Sequence, residues 1–313
     1  MNEKLSVIIP FCNEYPQVLF TLQNIAQELR GRVDFEVIAV DNYCEQVKSL
    51  GYENDKSGEA VNACSGRINP WLKYLKYEKK LSHWQSKNLG VKHSTGDFLW
   101  FCDAHCIISR DSLFNMFQFY KENHRELNGT LHLPLTYKIL ESHILIYKLV
   151  NNLSKGHLDY SFTGYRRNES PYEVPCMSCC GVMMSREVYN KLGGWPPELG
   201  IYSGGEQFLN FSLAVMGMKK WIFPTEPLFH HGEKRGYCYV YDDYLRNKLI
   251  ATYCYGGEDL CRLFSENMKG KPEALKNIYQ DVIAKCQPHR KHIANQQKIS
   301  IQEWARKWKG EDG

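Results

Sequence analysis

The sequence predicts an α/β protein, a doubly wound and mainly parallel sheet flanked by helices, with a helical C-terminal extension. Three observations carry that expectation. Apolar, β-branched runs of the kind buried on both faces of a parallel sheet recur at Leu5–Pro10 ("LSVIIP"), at 35–42 ("FEVIAVDN") and at 97–102 ("DFLWFC"). Segments with helical spacing alternate with them, as crossover connections between parallel strands require. The 313 residues are 43% hydrophobic, enough for one large domain or two closely packed halves.

In chain order, Leu5–Pro10 is the first strand. Residues 16–30 place Val18, Leu22, Ile25 and Leu29 at helical spacing, with Pro16 suited to the first turn. A second buried strand follows and ends in Asp41. Residues 84–96 ("WQSKNLGVKHSTG") read as a helix capped by Gly96 that feeds the strand at 97–102. Ligands of such sheets bind beyond the carboxyl ends of the strands, where Asp41 and Asp103 stand. After about residue 130 the pattern changes. "GTLHLPLTYKI" and "CCGVMMSREVYNKLGG" are strand-like and then helical, Phe208, Phe211, Leu213 and Val215 mark a helix, and 221–223 a strand. From about 240 the chain is Tyr-rich, then basic and helical. The expected division is therefore 1–130, 131–238 and 239–313.

Composition excludes several classes. Aromatic content of 13% and the apolar fraction argue against disorder. Net charge is +4, yet Lys269–Lys309 alone holds ten Lys or Arg against Glu273, Asp281 and Glu303. The twelve cysteines are scattered, and Cys102, Cys106 and Cys254 sit in apolar runs, as small buried hydrophobes do. "CMSCC" (Cys176, Cys179, Cys180) has the local look of a zinc knuckle, but no second Cys/His pair follows at a suitable spacing, so reduced structural thiols are expected. No run reaches the roughly 18 apolar residues of a membrane span. The opening "MNEKLSVIIPF" enters a strand without a basic leader, so a cytoplasmic protein is expected.

Three constellations can carry chemistry. In Asp103-Ala104-His105, alternate residues of an extended segment point the same way, so a carboxylate and an imidazole can reach one cation while Ala104 leaves room for a ligand. The competing reading is a capped strand end with a hydrogen-bonded histidine. A third ligand is available in "PLFHHG", where adjacent His230 and His231 face opposite ways and only one can enter the site. "YSGGEQF" places Glu206 after Gly204 and Gly205 at the start of an apolar helix. This is either a helix N-terminal acid or a carboxylate facing a reacting hydroxyl. Beyond His231, "GEKRGYCYVYDDY" offers Arg235 for a diphosphate and Tyr237, Tyr239 and Tyr241 for stacking. The tyrosine alternation reads more simply as a strand face.

Taken in order, "VIIPFCNE", "EVIAVDN", "SKNLGVKHSTGDFLWFCDAH", "SREVYNKLGGW" and "GGEQF" resemble the GT-A fold nucleotide-sugar glycosyltransferases, particularly glycosyltransferase family 2. The match spans roughly residues 5–235. Asp-x-His in place of Asp-x-Asp, the Gly-Gly-Glu before an amide residue, and "FCNE" are similar to the polypeptide N-acetylgalactosaminyltransferases. Because Gln207 cannot act as a base, an inverting mechanism is not assumed, and the anomeric outcome stays open.

The resemblance implies that Asp103, His105 and His230 hold Mn²⁺ or Mg²⁺, with His231 the alternative to His230, and that Glu206 is the catalytic carboxylate. It implies a nucleotide-sugar pocket formed by Pro10, Phe11, Asn13, Glu14, Asp41, Lys87, Asn88, Ala104 and Arg235. Gly181, Trp195, Gly204 and Gly205 fall on the acceptor or sugar side. The implied donor is a nucleotide-diphosphate sugar, UDP being the commonest carrier. The basic tail suits DNA or another polyanion as acceptor, a modified base included, and equally a lipid phosphate or a solvated helix face. A glycan or protein acceptor is a further alternative, as is a nucleotide-sugar-binding protein without transfer activity. Nucleotidyltransferases share the architecture, but "PFCNEYPQ" lacks their Gly-rich basic loop.

Overall fold

A computed structural model of the chain describes residues 3–52, 55–138, 143–231 and 240–308. The first wound unit comprises β1 (Leu5–Phe11), α1 (Gln17–Leu29), β2 (Phe35–Asp41), α2 (Glu45–Ser49), α3 (Lys56–Cys64), β3 (Leu72–Lys76), α4 (His83–Lys92) and β4 (Phe98–Phe101). Every residue of β1 and β4 is buried, which explains their unbroken apolar sequence. On α1, Val18, Leu22, Ile25 and Leu29 form the buried stripe that their spacing predicts. Ser82 caps α4 by accepting from the amide of Gln85, a contact worth about 1 kcal/mol.

Next come β5 (Cys106–Ile108), α5 (Ser112–Leu127), β6 (Gly129–His132), β7 (Leu135–Thr136), β8 (Leu145–Asn152), β9 (His157–Gly164), β10 (Tyr172–Glu173), β11 (Val182–Ser185), α6 (Arg186–Leu192), α7 (Gly205–Val215), β12 (Lys219–Ile222) and β13 (Leu228–His230). The remaining helices are α8 (Tyr241–Gly256), α9 (Glu258–Asn267), α10 (Pro272–Ala294) and α11 (Ile301–Arg306). The helix α8 packs on α7 and α10, so the extension joins the main core. On α10, Leu275, Ile278, Val282, Cys286 and Ile293 are buried, while Lys276, Lys285 and Lys291 face outward. No helix among the described residues is long and apolar enough to cross a membrane.

The large sheet runs β10-β12-β6-β11-β4-β1-β2-β3. The strands β3, β2, β1 and β4 are parallel, and the chain winds outward from β1 in one direction before returning to its other side at β4. That reversal opens a crevice at the carboxyl ends of β1 and β4. Beyond β4 the sheet is mixed, because β11 pairs antiparallel with both β4 and β6.

Three expectations need correcting. A second sheet, β5-β13-β7-β8-β9, was not anticipated. Its short strands lack a long alternating pattern, and only β8 and β9 form an extended hairpin. Gly96 does not cap a helix. The helix α4 ends at Lys92, and Gly96 instead passes so close to β1 that a Cβ would lie 2.5 Å from the carbonyl oxygen of Lys4. Tyr241 opens α8 rather than continuing a strand face, while Tyr237, Tyr239 and Arg235 lie outside the described residues.

Candidate active site

Asp103 and His105 lie in the short link between β4 and β5, so the sheet reversal delivers both to the crevice. β13 pairs antiparallel with β5 and sets His230 opposite Cys106, directly beside His105. The Nε2 of His230 consequently stands 3.2 Å from Asp103 Oδ2 and 3.1 Å from His105 Nε2. His231 contributes its backbone, donating to the carbonyl of His105 at 2.9 Å. Of the two adjacent histidines, His230 is the one whose ring meets the Asp103-Ala104-His105 segment.

The His230–Asp103 and His230–His105 separations each suit neighbouring ligands of one divalent cation, whereas Asp103 and His105 stand further apart, so His105 must draw in for all three to share an ion. Neighbouring donors of an octahedral ion bound at roughly 2.1 Å sit about 3 Å apart, close to both separations. One carboxylate and two imidazoles form a mixed oxygen and nitrogen donor set, which favours a transition ion such as Mn²⁺ over the oxygen-seeking Mg²⁺ and leaves positions for phosphate oxygens. Cys180, which sequence reasoning treated as a structural thiol, brings its sulfur within 4.8 Å of donor atoms on Asp103 and His230.

A line of charges holds the cluster in place. Burial disfavours a charged His105, but the Glu14 carboxylate, 3.0 Å from Nδ1, overrides it and raises the imidazole to about 9. Burial likewise opposes ionised Asp103, yet Lys87 and then the two histidines hold its carboxyl well below the usual range. Lys87 is 1% exposed, with Nζ 3.5 Å from Asp103 Oδ1 and 4.9 Å from the centre of the Trp84 ring. Its ammonium stays charged although burial works against it, because Asp103 compensates.

Two cavities meet at Asp103 and His83. The smaller is lined by Pro10, Phe11, Glu14, Asn42 and His105, among others, which places three of the expected nucleotide-side residues, Pro10, Phe11 and Glu14, at one opening. The larger, of about 420 Å³, is bordered by Lys87, Asp159, Tyr160, Cys180, Glu206 and Lys248. Glu206 stands in the first turn of α7, where its carboxylate accepts from the Tyr160 hydroxyl, from Ser178 Oγ at 3.1 Å and from the Cys179 amide at 3.1 Å. Burial nevertheless raises its pKa, and the three hydrogen bonds only moderate the rise. Beside it the Gln207 amide donates to Asp159, which also pairs with Lys248 at 2.7 Å.

Other expected residues support the site from behind. The Asn88 side chain accepts from the Trp195 amide (3.0 Å) and the Tyr189 hydroxyl (2.7 Å), and donates to the Trp195 carbonyl (2.7 Å), so it clamps the loop before α7 and does not border either cavity. Trp195 is fully buried and donates Nε1–H to the Gly205 carbonyl. Gly204 has φ 74°, and a Cβ there would meet the Asn247 carbonyl at 2.1 Å; one on Gly205 would enter the Trp84 ring at 2.2 Å. The double glycine therefore seats α7 against α8 and Trp84. Gly181 precedes β11 and donates to the Phe101 carbonyl, and buried Ala104 accepts from Thr21. Asp41 ends β2 as expected, but its oxygens face the Tyr74 hydroxyl (2.7 Å) and the Tyr43 amide (2.9 Å). Asn13, at φ 54°, donates its amide to Asp55.

Sequence reasoning missed His83, Asp159, Tyr160 and Lys248. None sits in a recognisable motif. The β8–β9 hairpin and α8 carry three of them into the larger cavity through long-range packing.

Comparison with known proteins adds an independent finding. The model of a family described as "Glycosyl transferase family 2" matches residues 6–193. The chain is 26% identical over 247 residues to "Putative polypeptide N-acetylgalactosaminyltransferase 13" of Drosophila melanogaster, covering 75% of this chain and 43% of that protein. It is 21% identical over 301 residues to polypeptide N-acetylgalactosaminyltransferase 10 of Rattus norvegicus, covering 92% of this chain and 45% of that one. The chain thus spans less than half the length of these curated relatives. Among solved structures, GalNAc-T7 with UDP, GalNAc and Mn²⁺ superposes with a TM-score of 0.60 at 16% identity, over 90% of this chain and 57% of that one. At that identity the likeness is one of fold, and the architecture is the GT-A arrangement that the sequence led us to expect.

Proposed function

The chain belongs to glycosyl transferase family 2, and from that premise we propose that it is a metal-dependent glycosyltransferase that moves a sugar from a nucleotide-diphosphate sugar, by default a UDP-sugar, to a hydroxyl acceptor. The observation that carries this reading is the contact of His230 Nε2 with both Asp103 and His105, with Glu206 lining the adjoining cavity that Asp103 also borders. The relatives and the Mn²⁺- and UDP-bound neighbour support it.

Asp103, His105 and His230 would hold Mn²⁺ or Mg²⁺, which supplies positive charge to the diphosphate leaving group. Lys87 adds a buried, fixed cation at the same end, where its low exposure weakens screening by solvent. Glu14 keeps the His105 ring oriented through Nδ1, so that Nε2 faces His230. Pro10 and Phe11 border the smaller cavity as the nucleoside side. Glu206, held by three donors, presents a carboxylate to the sugar or acceptor hydroxyl in the larger one. That cavity accommodates a sugar unit and the end of an acceptor.

For the acceptor, the outward lysines of α10 support a polyanion such as DNA carrying a modified base. Salt-sensitive DNA binding tests this part alone, and a lipid-phosphate, glycan or protein acceptor replaces it if no binding occurs at low salt. The central test compares Mn²⁺-dependent hydrolysis of a panel of nucleotide sugars by wild type and Asp103→Ala. Metal-dependent hydrolysis lost in the variant supports transfer chemistry. Nucleotide-sugar binding without turnover in the wild type would leave a binding protein in its place.

A further inference from the structure

The metal cluster has a second group of donors behind it. Cys102 closes the run after β4, Cys106 opens β5, and Cys180 precedes β11, so strand packing brings three thiols together from positions up to 78 residues apart. Their sulfurs all lie within 4.8 Å of one another, with Cys106 and Cys180 at 3.4 Å. All three are buried, at 0%, 1% and 4% exposure. Among the described residues this is the only all-sulfur group close enough to share an ion.

We propose that Cys102, Cys106 and Cys180 form a binding site for a soft divalent cation of the zinc and cadmium class, distinct from the hard-ion site at Asp103, His105 and His230. A zinc ion bound at about 2.3 Å by sulfur needs its ligands roughly 3.8 Å apart in a tetrahedral shell, which the trio can meet with small side-chain shifts. Sulfur donors select such ions over Mn²⁺ and Mg²⁺, which prefer oxygen. On binding, each thiol releases its proton to solvent and the sulfur keeps the electron pair, so a divalent ion with three thiolates carries one net negative charge. Lys87, whose Nζ lies 3.5 Å from the Cys179 carbonyl, is the neighbouring cation. The ion has a way in, because Cys180 borders the larger cavity.

The arrangement has a functional consequence. Cys180 also stands within 4.8 Å of donor atoms on Asp103 and His230. A soft ion on the trio therefore sits against the hard-ion site and perturbs it, making the protein sensitive to inhibition by zinc or cadmium in the presence of Mn²⁺.

The test uses Cd²⁺ and the reduced, metal-free full chain. One equivalent of Cd²⁺ is expected to produce the ultraviolet thiolate-to-cadmium charge-transfer band and to raise the melting temperature. Cys106→Ser and Cys106→Ala are expected to lose both, the alanine variant removing the sulfur without adding a polar group to the core. Cys286→Ser, which removes a buried thiol elsewhere, and Cys64→Ser, which removes a more accessible one, keep them. Retention of the band in either folded Cys106 variant overturns the proposal. So does the absence of a band in wild type whose thiols titrate as reduced. Neither readout depends on glycosyl transfer, so failure here leaves the proposed function untouched.

Discussion

His230 Nε2 lies 3.2 Å from Asp103 Oδ2 across 127 residues of chain, and the antiparallel pairing of β13 with β5 sets that distance. Shifting that register by one residue would turn His230 out and His231 in. His230→Ala is therefore expected to abolish Mn²⁺-dependent stabilisation by UDP and to lower turnover at least about a hundredfold, since metal-borne charge stabilisation is worth several kcal/mol. His231→Ala is expected to keep both. Thermal melts with and without Mn²⁺ and UDP, paired with turnover assays, decide it; equal losses in the two variants would remove His230 from its special place.

How much of this was readable beforehand depended on how local each cause is. The buried runs of β1, β2 and β4 and the stripe on α1 declare themselves within a few residues, whereas the Asp103-Ala104-His105 segment, expected to be extended, turns at residues 104 and 105. The choice between His230 and His231 needed a register between strands some 120 residues apart, which no local pattern encodes. The same holds for Tyr160 and Lys248, which reach Glu206 and its neighbours from a hairpin and a late helix. Gly96 misled because a glycine after a helical run suggests a cap, whereas here the close passage of β1 excludes a side chain.

Glu206 gives a prediction about pH. Burial raises its pKa above the usual carboxylate range, with the hydrogen bonds from Tyr160 and the Cys179 amide working in the opposite direction. If the ionised form acts, activity must fall on the acid side at a higher pH than an exposed glutamate would impose. Glu206→Gln preserves the shape while removing the titration, so it should lower kcat and erase that limb. A Glu206→Gln enzyme with an unchanged pH profile would show that some other group controls it.

Asn88 separates support from contact. Its amide is engaged by Trp195 and Tyr189, and it borders neither cavity. Asn88→Ala is expected to cost about 2–3 kcal/mol of stability, at roughly 1 kcal/mol per lost hydrogen bond, while KM for the donor stays the same at temperatures where the variant is folded. Chemical denaturation and donor titration measure the two quantities separately. A large rise in donor KM with stability intact would return Asn88 to the nucleotide pocket.

The glycine pair before Glu206 makes a steric prediction. A methyl on Gly204 would meet the Asn247 carbonyl and one on Gly205 the Trp84 ring, both far inside contact distance. Gly204→Ala and Gly205→Ala should each destabilise by about 1–3 kcal/mol through overpacking. Because α7 carries Glu206, turnover should drop beyond what the loss of folded protein explains. The assay compares activity per folded molecule with the denaturation midpoint. Gly217→Ala, at a positive-φ glycine on the far side of α7, would share the stability cost and spare that activity.

Asp41 predicts a pH-dependent stability of definite sign. Only 3% exposed, its carboxyl is pushed up from an ordinary 3.8 to about 6 by burial, against the opposing hydrogen bonds of Tyr74 and the Tyr43 amide. The folded state thus holds the proton more tightly than the unfolded chain. The stabilisation from this group is fully present below about pH 4 and is lost as pH rises through about 6. A shift of this size corresponds to roughly 3 kcal/mol. Asp41→Asn stays neutral throughout, so the stability difference between wild type and variant should swing toward the variant between pH 4 and pH 6. Urea midpoints across that range measure the swing. A difference that stays flat with pH would mean that Asp41 titrates normally and that its burial costs the fold nothing.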